Sequence, residues 1–163
     1  MKIAIVGAGA MGSLFGSFLA EAGYDVTLVD VWKEHVDNIN KYGLKVSGVS
    51  GSRVVSIRAT SKHSEVGLVD LLILFVKSYD TEQAIKDSLP MISEETVVIT
   101  CQNGIGNVEK IGGIIGVKHV ICGSTLHGAT MIRAGEIFHA GSGLTYIGEL
   151  DGSVSKRIKK IAN

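Results

Sequence analysis

The sequence predicts an α/β fold in which a doubly wound parallel sheet is extended by antiparallel strands at its C-terminal end. Three observations support this prediction. The first thirty residues contain a strand, a turn, a helix and a second strand, and further apolar runs alternate with helical patterns as far as residue 118. From residue 119 to residue 150, strand patterns follow one another without helices between them. A chain of 163 residues is long enough for one such domain, and we assign residues 1–163 to it.

The strongest local pattern lies in the first thirty residues. The apolar run Ile3–Val6 predicts a buried parallel strand, and apolar spacing over 13–22 predicts a helix. Between them lies the sequence Gly-Ala-Gly-Ala-Met-Gly, and the next predicted strand, Val26–Val29, is followed directly by Asp30. This order of strand, glycine turn, helix, strand and acid is typical of the Rossmann dinucleotide-binding unit.

Each glycine of the turn has a role in holding a pyrophosphate. Gly7 permits the sharp turn, Gly9 lets the phosphates approach the backbone, and Gly12 lets the helix pack closely on the sheet. The N–H groups and the positive dipole end of the helix then face the phosphates, while the Asp30 carboxylate accepts hydrogen bonds from the adenosine ribose. The predicted cofactor-binding residues of this unit are Gly7, Ala8, Gly9, Ala10, Met11, Gly12 and Asp30.

Composition argues against several other classes of protein. Charged residues are 20% of the chain and the net charge is zero. The chain therefore lacks the excess of basic residues that would favour binding to nucleic acid or to an anionic membrane. No apolar run approaches the roughly 20 residues of a membrane span. Two cysteines are too few for a cysteine-based zinc site, and we predict no metal site. Because the N-terminus enters a strand directly, we expect no signal peptide, and we interpret Cys101 and Cys122 as reduced core residues of a cytoplasmic protein.

Beyond Asp30, the patterns predict a helix that stops at Gly43 and then two short strands, 44–46 and 53–59. We interpret these strands as a hairpin inserted after the first βαβ unit. Trp32 has two interpretations, since it could flank an adenine or pack within the protein.

Two polar side chains follow predicted strands at the edge of the sheet where α/β proteins bind ligands. Lys77 follows the apolar run 69–76, where it can meet a phosphate, a ribose or a substrate carboxylate; a solvated lysine is the alternative. Asn103 follows the predicted strand 96–101 and opens a second glycine-rich turn. Its amide can hydrogen-bond both a nicotinamide ribose and a substrate without adding charge.

The remaining patterns are interpreted as structural. A helix over 81–91 is predicted to carry Ala84, Ile85 and Leu89 on one face, and Asn107 is predicted to cap the helix over 108–115. His127 and His139 are interpreted as hydrogen-bonded residues of the closing antiparallel strands. These strands are predicted over 120–122, 124–132, 136–140 and 144–148.

Four features of the sequence resemble the N-terminal domain of the ketopantoate reductase (2-dehydropantoate 2-reductase) family. They are the glycine turn at 7–12, the strand that ends at Lys77, the sequence Gln-Asn-Gly-Ile-Gly-Asn over 102–107 and the closing glycine-rich strands. The resemblance covers essentially the whole chain. It implies NAD(P)H-dependent reduction of a 2-keto acid, 2-dehydropantoate to pantoate, in pantothenate and coenzyme A biosynthesis. It also implies that Lys77 and Asn103 lie at the cleft that holds cofactor and substrate.

The resemblance also implies a helical C-terminal domain, which in the family carries the catalytic lysine and a substrate-binding glutamate. We expect this chain to end before that domain, and therefore to contain no catalytic residue and to be inactive alone. The last predicted helix, over 151–163, then has an apolar stripe without a partner, which is expected to be exposed and to permit a homodimer. The stripe consists of Val154, Ile158 and Ile161.

Two arguments about the cofactor disagree. The family usually prefers NADPH and holds its 2′-phosphate with an arginine just after the second strand. Here Asp30 would repel a 2′-phosphate, although Lys33 could partly compensate. We lean to NADH over NADPH. Two other functions stay open: another hydroxyacid-type Rossmann dehydrogenase, and a non-catalytic regulatory module that senses NAD(H) through its association.

Overall fold

The computed structural model describes residues 1–162. The strands are β1 (Lys2–Val6), β2 (Asp25–Val29), β3 (Leu44–Gly48), β4 (Arg53–Val55), β5 (Arg58–Thr60), β6 (Leu71–Leu74), β7 (Val97–Thr100), β8 (Val120–Thr125), β9 (Gly128–Arg133), β10 (Glu136–Gly141) and β11 (Thr145–Gly148). The helices are α1 (Ala10–Glu21), α2 (Lys33–Tyr42), α3 (Thr81–Ser88), α4 (Asn107–Ile115) and α5 (Lys156–Ala162). No helix within the described range is long and apolar enough to cross a membrane.

Seven strands form the main sheet, in the order β11-β8-β7-β6-β1-β2-β5. All neighbouring strands run parallel except β11, which pairs antiparallel with β8. The six parallel strands, numbered along the chain, have the spatial order 3-2-1-4-5-6, which is the doubly wound order of the Rossmann fold. The predicted fold class is therefore confirmed. The winding reverses between β1 and β6, and a crevice for a ligand is expected there, beyond the carboxyl ends of the strands.

The main sheet is buried on both faces. Ile5 and Leu14 belong to one apolar cluster, whereas Val6 and Ile85 belong to another, so successive residues of β1 point to opposite faces. α1 contributes to the first cluster, and α3 contributes to the second. Because both faces are covered, the central strands are near-continuous apolar runs, as the sequence pattern predicts.

A second sheet of four strands, in the order β4-β3-β10-β9, corrects the predicted arrangement of the closing strands. The hairpin of β3 and β4 forms as predicted, but the strand predicted over 53–59 is divided, and its second part, β5, joins the main sheet beside β2. β10 pairs parallel with β3 and antiparallel with β9. Only β11 thus extends the main sheet in antiparallel order. α1 contacts strands of both sheets.

The helix predicted over 81–91 is shorter than expected. α3 ends at Ser88, and Leu89–Met91 form a 3-10 turn. Pro90 has no backbone N–H with which to continue an α-helix, and the tighter turn changes which side chains point inward. Met91 is fully buried, whereas Leu89 is 48% exposed, so Leu89 does not share the buried face of Ala84 and Ile85, contrary to the prediction.

The C-terminal apolar stripe is packed rather than free. Ile158 is buried in the same cluster as Ile5, and Ile161 packs against that cluster. Val154 precedes α5 and is exposed. The prediction of an exposed stripe is therefore wrong for Ile158 and Ile161, because α5 lies on the main sheet itself; Asn163 lies outside the described residues.

Both cysteines are free thiols, but only one of them is in the core. Cys101 is partly buried, and its pKa is raised to about 11, mainly by burial and to a smaller extent by the nearby Cys122. Cys122 is exposed, so its assignment to the core is wrong. Among residues 1–162, no three His, Cys, Asp or Glu side chains are grouped to hold a metal ion.

Candidate functional site

The glycine turn follows the carboxyl end of β1 at the reversal of the sheet. Gly7 has a φ of 91°, a left-handed conformation that favours glycine, and a Cβ there would lie 2.6 Å from the Val76 backbone nitrogen. A Cβ on Gly12 would lie 2.0 Å from the Gly7 carbonyl oxygen. A Cβ on Gly9, by contrast, would meet no atom within 4 Å. The packing of the turn therefore requires Gly7 and Gly12, whereas Gly9 faces open space.

α1 directs its N-terminus into that open space. The helix begins at Ala10, and Gly9 is its N-cap without a side-chain cap hydrogen bond. The Ser13 N–H donates to the Gly9 carbonyl oxygen at 2.9 Å, which is the first hydrogen bond of the helix. The N–H groups of residues 10–12 therefore have no carbonyl partner within the helix. No acidic residue lies in the first turn. Together with the helix dipole, these N–H groups suit an anion such as a phosphate.

A buried chain of hydrogen bonds holds the glycine turn in place. The Ser13 hydroxyl donates to the Ala8 carbonyl oxygen at 2.8 Å, and His35 Nε2 lies 3.2 Å from the same hydroxyl. The Gly135 backbone N–H donates to His35 Nδ1 at 2.9 Å, so the proton of the neutral ring is on Nε2, which donates to Ser13. Burial lowers the pKa of His35, although Asp30 opposes this effect. The β9–β10 turn is thereby connected to the glycine turn.

Asp30 lies in a cleft of about 200 Å³ beside the glycine turn, which we call the Asp30 cleft. Two further acids, Asp80 and Asp87, line the same cleft. His63 also lines it, and burial lowers the pKa of this histidine despite the opposing charge of Asp87. No lysine or arginine among residues 1–162 lines the Asp30 cleft. Its electrostatic character is therefore acidic.

Val31 lines this cleft, whereas Trp32 and Lys33 are engaged outside it. Trp32 stacks on His35 with ring centroids 5.3 Å apart and an interplanar angle of 14°, which favours the packing interpretation of Trp32. Lys33 Nζ pairs with Asp37 at 2.7 Å on an exposed face of α2. The Asp30 carboxylate accepts the Trp32 backbone N–H at 2.9 Å, and this bond fixes its orientation.

A second cleft, of about 250 Å³, contains both Lys77 and Asn103, and we call it the Lys77 cleft. Met11, in the first turn of α1, lines it as well. The side chains of Lys77 and Asn103 are exposed, and neither makes a hydrogen bond or ion pair with any residue of the described chain. The structure thus brings together in one cleft the two residues that the sequence placed at separate strand ends.

A buried amide side chain connects the two loops of the Lys77 cleft. Asn107 Oδ1 accepts hydrogen bonds from the hydroxyls of Ser78 at 2.8 Å and Thr81 at 3.1 Å, and its Nδ2 donates to the Asn103 carbonyl oxygen at 3.2 Å. Asn107 is the first residue of α4, and its side chain makes no cap hydrogen bond. Its predicted role as a helix cap is therefore wrong, because its side chain turns toward the neighbouring loop instead.

Sequence reasoning missed two residues that shape these clefts. Gln102 Nε2 donates to the Val76 carbonyl oxygen at 2.7 Å and to the Thr81 hydroxyl at 2.9 Å, which joins the loops that follow β6 and β7. His35 supports the glycine turn as described above. Each had a signal: Gln102 directly follows a predicted strand, and His35 stands next to Val36 on the buried face of α2.

His127 also lines the Lys77 cleft and is hydrogen-bonded to His139, so each ring is hydrogen-bonded as predicted, although their pairing with each other was not. His127 Nδ1 lies 3.1 Å from His139 Nε2. Phe15 and Phe18 of α1 pack against the His127 ring, with centroid distances of 5.9 Å and 5.6 Å. His139 is 1% exposed, and its Nδ1 is buried without a hydrogen-bond partner among residues 1–162.

These features fit a dinucleotide. The open space at Gly9, the unpaired N–H groups of α1 and the Asp30 cleft lie in the order that a pyrophosphate and an adenosine ribose require. Sheet order and site geometry together define a dinucleotide-binding domain of the Rossmann class.

The family described as "Ketopantoate reductase PanE/ApbA" matches residues 3–152, and the chain belongs to this family. The 2-dehydropantoate 2-reductase of Pyrococcus abyssi is 41% identical over 163 residues, which are 100% of this chain and 52% of that protein. The chain spans about half the length of the curated relatives it matches. The resemblance seen in the sequence is confirmed.

Solved structures agree with this membership. The 2-dehydropantoate 2-reductase of Geobacter metallireducens has a TM-score of 0.92 at 29% identity, over 99% of this chain and 54% of that one. D-mandelate dehydrogenase, solved in a ternary structure with NADH and anilino(oxo)acetate, has a TM-score of 0.91 at 34% identity, over 99% of this chain and 53% of that one.

Proposed function

We propose that this chain is the cofactor-binding part of an NAD(P)H-dependent reductase that converts 2-dehydropantoate to pantoate for pantothenate and coenzyme A biosynthesis. One observation carries the proposal: two clefts flank the glycine turn. The Asp30 cleft includes Gly7, the Lys77 cleft includes Met11, and Val76 lines both. A dinucleotide with its pyrophosphate at the N-terminus of α1 can extend its adenosine into the first cleft and its nicotinamide into the second.

The residues of the Lys77 cleft can bind and orient a 2-oxo acid beside the cofactor. When bound, the nicotinamide supplies a hydride to the keto carbon. The Lys77 ammonium offers a positive charge to a carboxylate or a donor to a ribose hydroxyl, and the Asn103 amide offers one acceptor and two donor hydrogens without charge. Neither residue is assigned as the catalytic acid, which we expect to come from outside the residues of this chain.

We propose NADH, rather than NADPH, as the preferred cofactor. The acids of the Asp30 cleft would repel a 2′-phosphate, and Asp30 itself can accept hydrogen bonds from the ribose hydroxyls of NADH. Lys33, which the sequence offered to offset this repulsion, is paired with Asp37. A named relative in the structural comparison, D-mandelate dehydrogenase, was solved with NADH.

That relative also supports a second candidate function, the interconversion of an aromatic 2-hydroxy acid and its 2-oxo acid. Its likeness to this chain, with a TM-score of 0.91, is close to that of the 2-dehydropantoate 2-reductase named above. Titration of the NAD⁺-saturated chain with pantoate and with D-mandelate distinguishes the two candidates. Tighter binding of pantoate supports the first proposal, and tighter binding of D-mandelate replaces it.

Isothermal calorimetry with NADH and NADPH tests the cofactor proposal on the wild type and Asp30→Ala. We expect NADH to bind about tenfold more tightly to the wild type, equivalent to about 1.4 kcal/mol, and the difference to shrink or reverse in the variant. Asp25→Ala is the matched control, since Asp25 is an exposed acid at the opposite end of β2. This control should keep the wild-type preference.

Two results would contradict the proposal. Tighter binding of NADPH to the wild type would reject the NADH preference but retain a nicotinamide cofactor. Absence of binding by either nucleotide would reject the cofactor-binding role of this chain.

A further inference from the structure

We propose that His127 is a neutral hydrogen-bond donor in the Lys77 cleft, held in its Nε2–H form by His139, and that it donates to the carboxamide oxygen of a bound nicotinamide. The inference rests on the proposed function and assigns a residue to the nicotinamide end of that site. It starts from the two histidine rings, whose proton positions can be worked out from their partners.

One proton lies between the two rings. The 3.1 Å contact between His127 Nδ1 and His139 Nε2 needs one nitrogen to donate and the other to accept. If His127 donated, a neutral His139 would carry its own proton on Nδ1. That nitrogen is buried and has no partner among residues 1–162, so its N–H would be left unsatisfied.

The opposite arrangement avoids a buried unpaired N–H. His139 then carries its proton on Nε2, which is used in the hydrogen bond, and its buried Nδ1 is left as an unprotonated acceptor. Orphaned buried N–H groups are rarer in proteins than under-satisfied acceptors. With His139 as the donor, His127 Nδ1 is the acceptor, and the proton of a neutral His127 must be on Nε2.

His127 Nε2 is available to a ligand. It makes no hydrogen bond to the described residues. It is also not among the buried atoms that lack a partner, in contrast to His139 Nδ1. Because His127 lines the Lys77 cleft, an accessible Nε2–H can donate into that cleft. Phe15 and Phe18 pack against the ring, and the bond to His139 holds its other nitrogen, so the direction of the donor is restrained.

The ring is also kept uncharged. Burial is the larger cause that lowers the pKa of His127, and the nearby ring of His139 lowers it further. The neutral form therefore predominates at pH 7. A carboxylate in the cleft would be attracted more strongly to the Lys77 ammonium than to a neutral imidazole. The neutral donor instead matches a neutral carbonyl acceptor. The nicotinamide carboxamide supplies one, in the cleft that Met11 connects to the phosphate-binding end of α1.

The first test is the tautomer, which needs no ligand. Two-dimensional 15N NMR of the histidine side chains should show His127 protonated on Nε2 in the wild type. His139→Gln should retain this tautomer, because a glutamine Nε2 can donate in place of the imidazole, whereas His139→Leu should lose the preference. A proton on His127 Nδ1 in the wild type would overturn the proposal.

The second test compares binding of NADH with binding of ADP-ribose, which lacks the nicotinamide. His127→Phe keeps an aromatic ring in the cluster but removes the donor, and we expect it to bind NADH about 3- to 10-fold more weakly. His127→Gln, which retains an N–H donor, should recover most of the loss. ADP-ribose should bind equally to all three proteins.

The possible outcomes separate this proposal from the proposed function. If the wild type binds NADH but the variants bind it equally well, or if NADH and ADP-ribose lose affinity together, His127 is structural and the inference is wrong. A loss that appears only when oxamate, a 2-oxo acid mimic, is also present would assign the donor to the substrate and overturn the nicotinamide assignment. If the wild type binds neither nucleotide, the proposed function fails and the inference fails with it.

Discussion

Replacing Gly9 by alanine should weaken nucleotide binding at least tenfold without harming the fold. Gly9 has a φ of −61° and a ψ of −165°, an extended backbone that alanine can adopt. Its added Cβ would meet no protein atom within 4 Å. The methyl group would instead occupy the open space before α1, where the pyrophosphate of a dinucleotide must approach the backbone.

The magnitudes follow from the contacts of each glycine. Gly9→Ala should leave the free energy of unfolding unchanged or raise it by up to about 1 kcal/mol, because alanine restricts the unfolded chain. Gly12→Ala is the contrasting variant: its Cβ would lie 2.0 Å from the Gly7 carbonyl oxygen, where real Cβ contacts stay beyond 3.0 Å. The first turn of α1 must move by about 1 Å to relieve this contact, and we expect a loss of about 1–3 kcal/mol.

Urea unfolding and calorimetric titration with NADH measure the two effects separately. Gly9→Ala should unfold at or above the wild-type midpoint and bind NADH at least tenfold more weakly, a change of about 1.4 kcal/mol or more. Gly12→Ala should unfold at lower urea. Wild-type NADH affinity in a folded Gly9→Ala protein would refute the placement of the pyrophosphate, and wild-type stability of Gly12→Ala would refute the packing argument.

Two further predictions concern titratable side chains. Because the pKa values of His35, His63 and His127 are lowered in the folded protein, the unfolded chain binds more protons than the folded one as the pH falls through about 6.5. The contribution of these histidines to stability should therefore be complete above about pH 7.5 and decline toward pH 5.5. Urea unfolding should show a shallower decline for His35→Asn, and a flat profile in the wild type would contradict this reasoning. Iodoacetamide at pH 8 should modify Cys122 well before Cys101 in the folded protein, because the Cys101 thiol has a pKa of about 11. Peptide mass spectrometry follows the two rates of modification. Equal rates would show that Cys101 is accessible and ionised.

Local patterns were sufficient to predict the main sheet except for its edge strand β5, which was predicted as part of the hairpin. The strand, glycine turn and helix at the N-terminus depend on residues close in sequence, and β1, α1 and β2 form where apolar spacing placed them. Alternation identifies strands but not their partners, which is why β9 and β10 were assigned to the wrong sheet. Their pairing depends on β3, far away in the sequence, and no local pattern contains that information.

The candidate site likewise has a part that local patterns predict and a part that depends on distant residues. Lys77 and Asn103 could be placed at one edge because the carboxyl ends of parallel strands converge there. The roles of His35 and Asn107 could not be predicted, since their partners come from other elements: Gly135 for the first, Ser78 for the second. The assignment of the cofactor and substrate residues themselves stays a prediction that the binding experiments above test.

The parallel pair of β3 and β10 affects the order in which the chain can fold. The Ser47 side chain hydrogen-bonds the Ile137 carbonyl oxygen across 90 residues of sequence, and the Gly135 bond to His35 spans 100 residues. During synthesis, β3 emerges long before its partner, and contacts that close such long loops form slowly. The phosphate-binding turn therefore leaves the ribosome well before Gly135 and acquires its full support only after the β9–β10 turn has followed it.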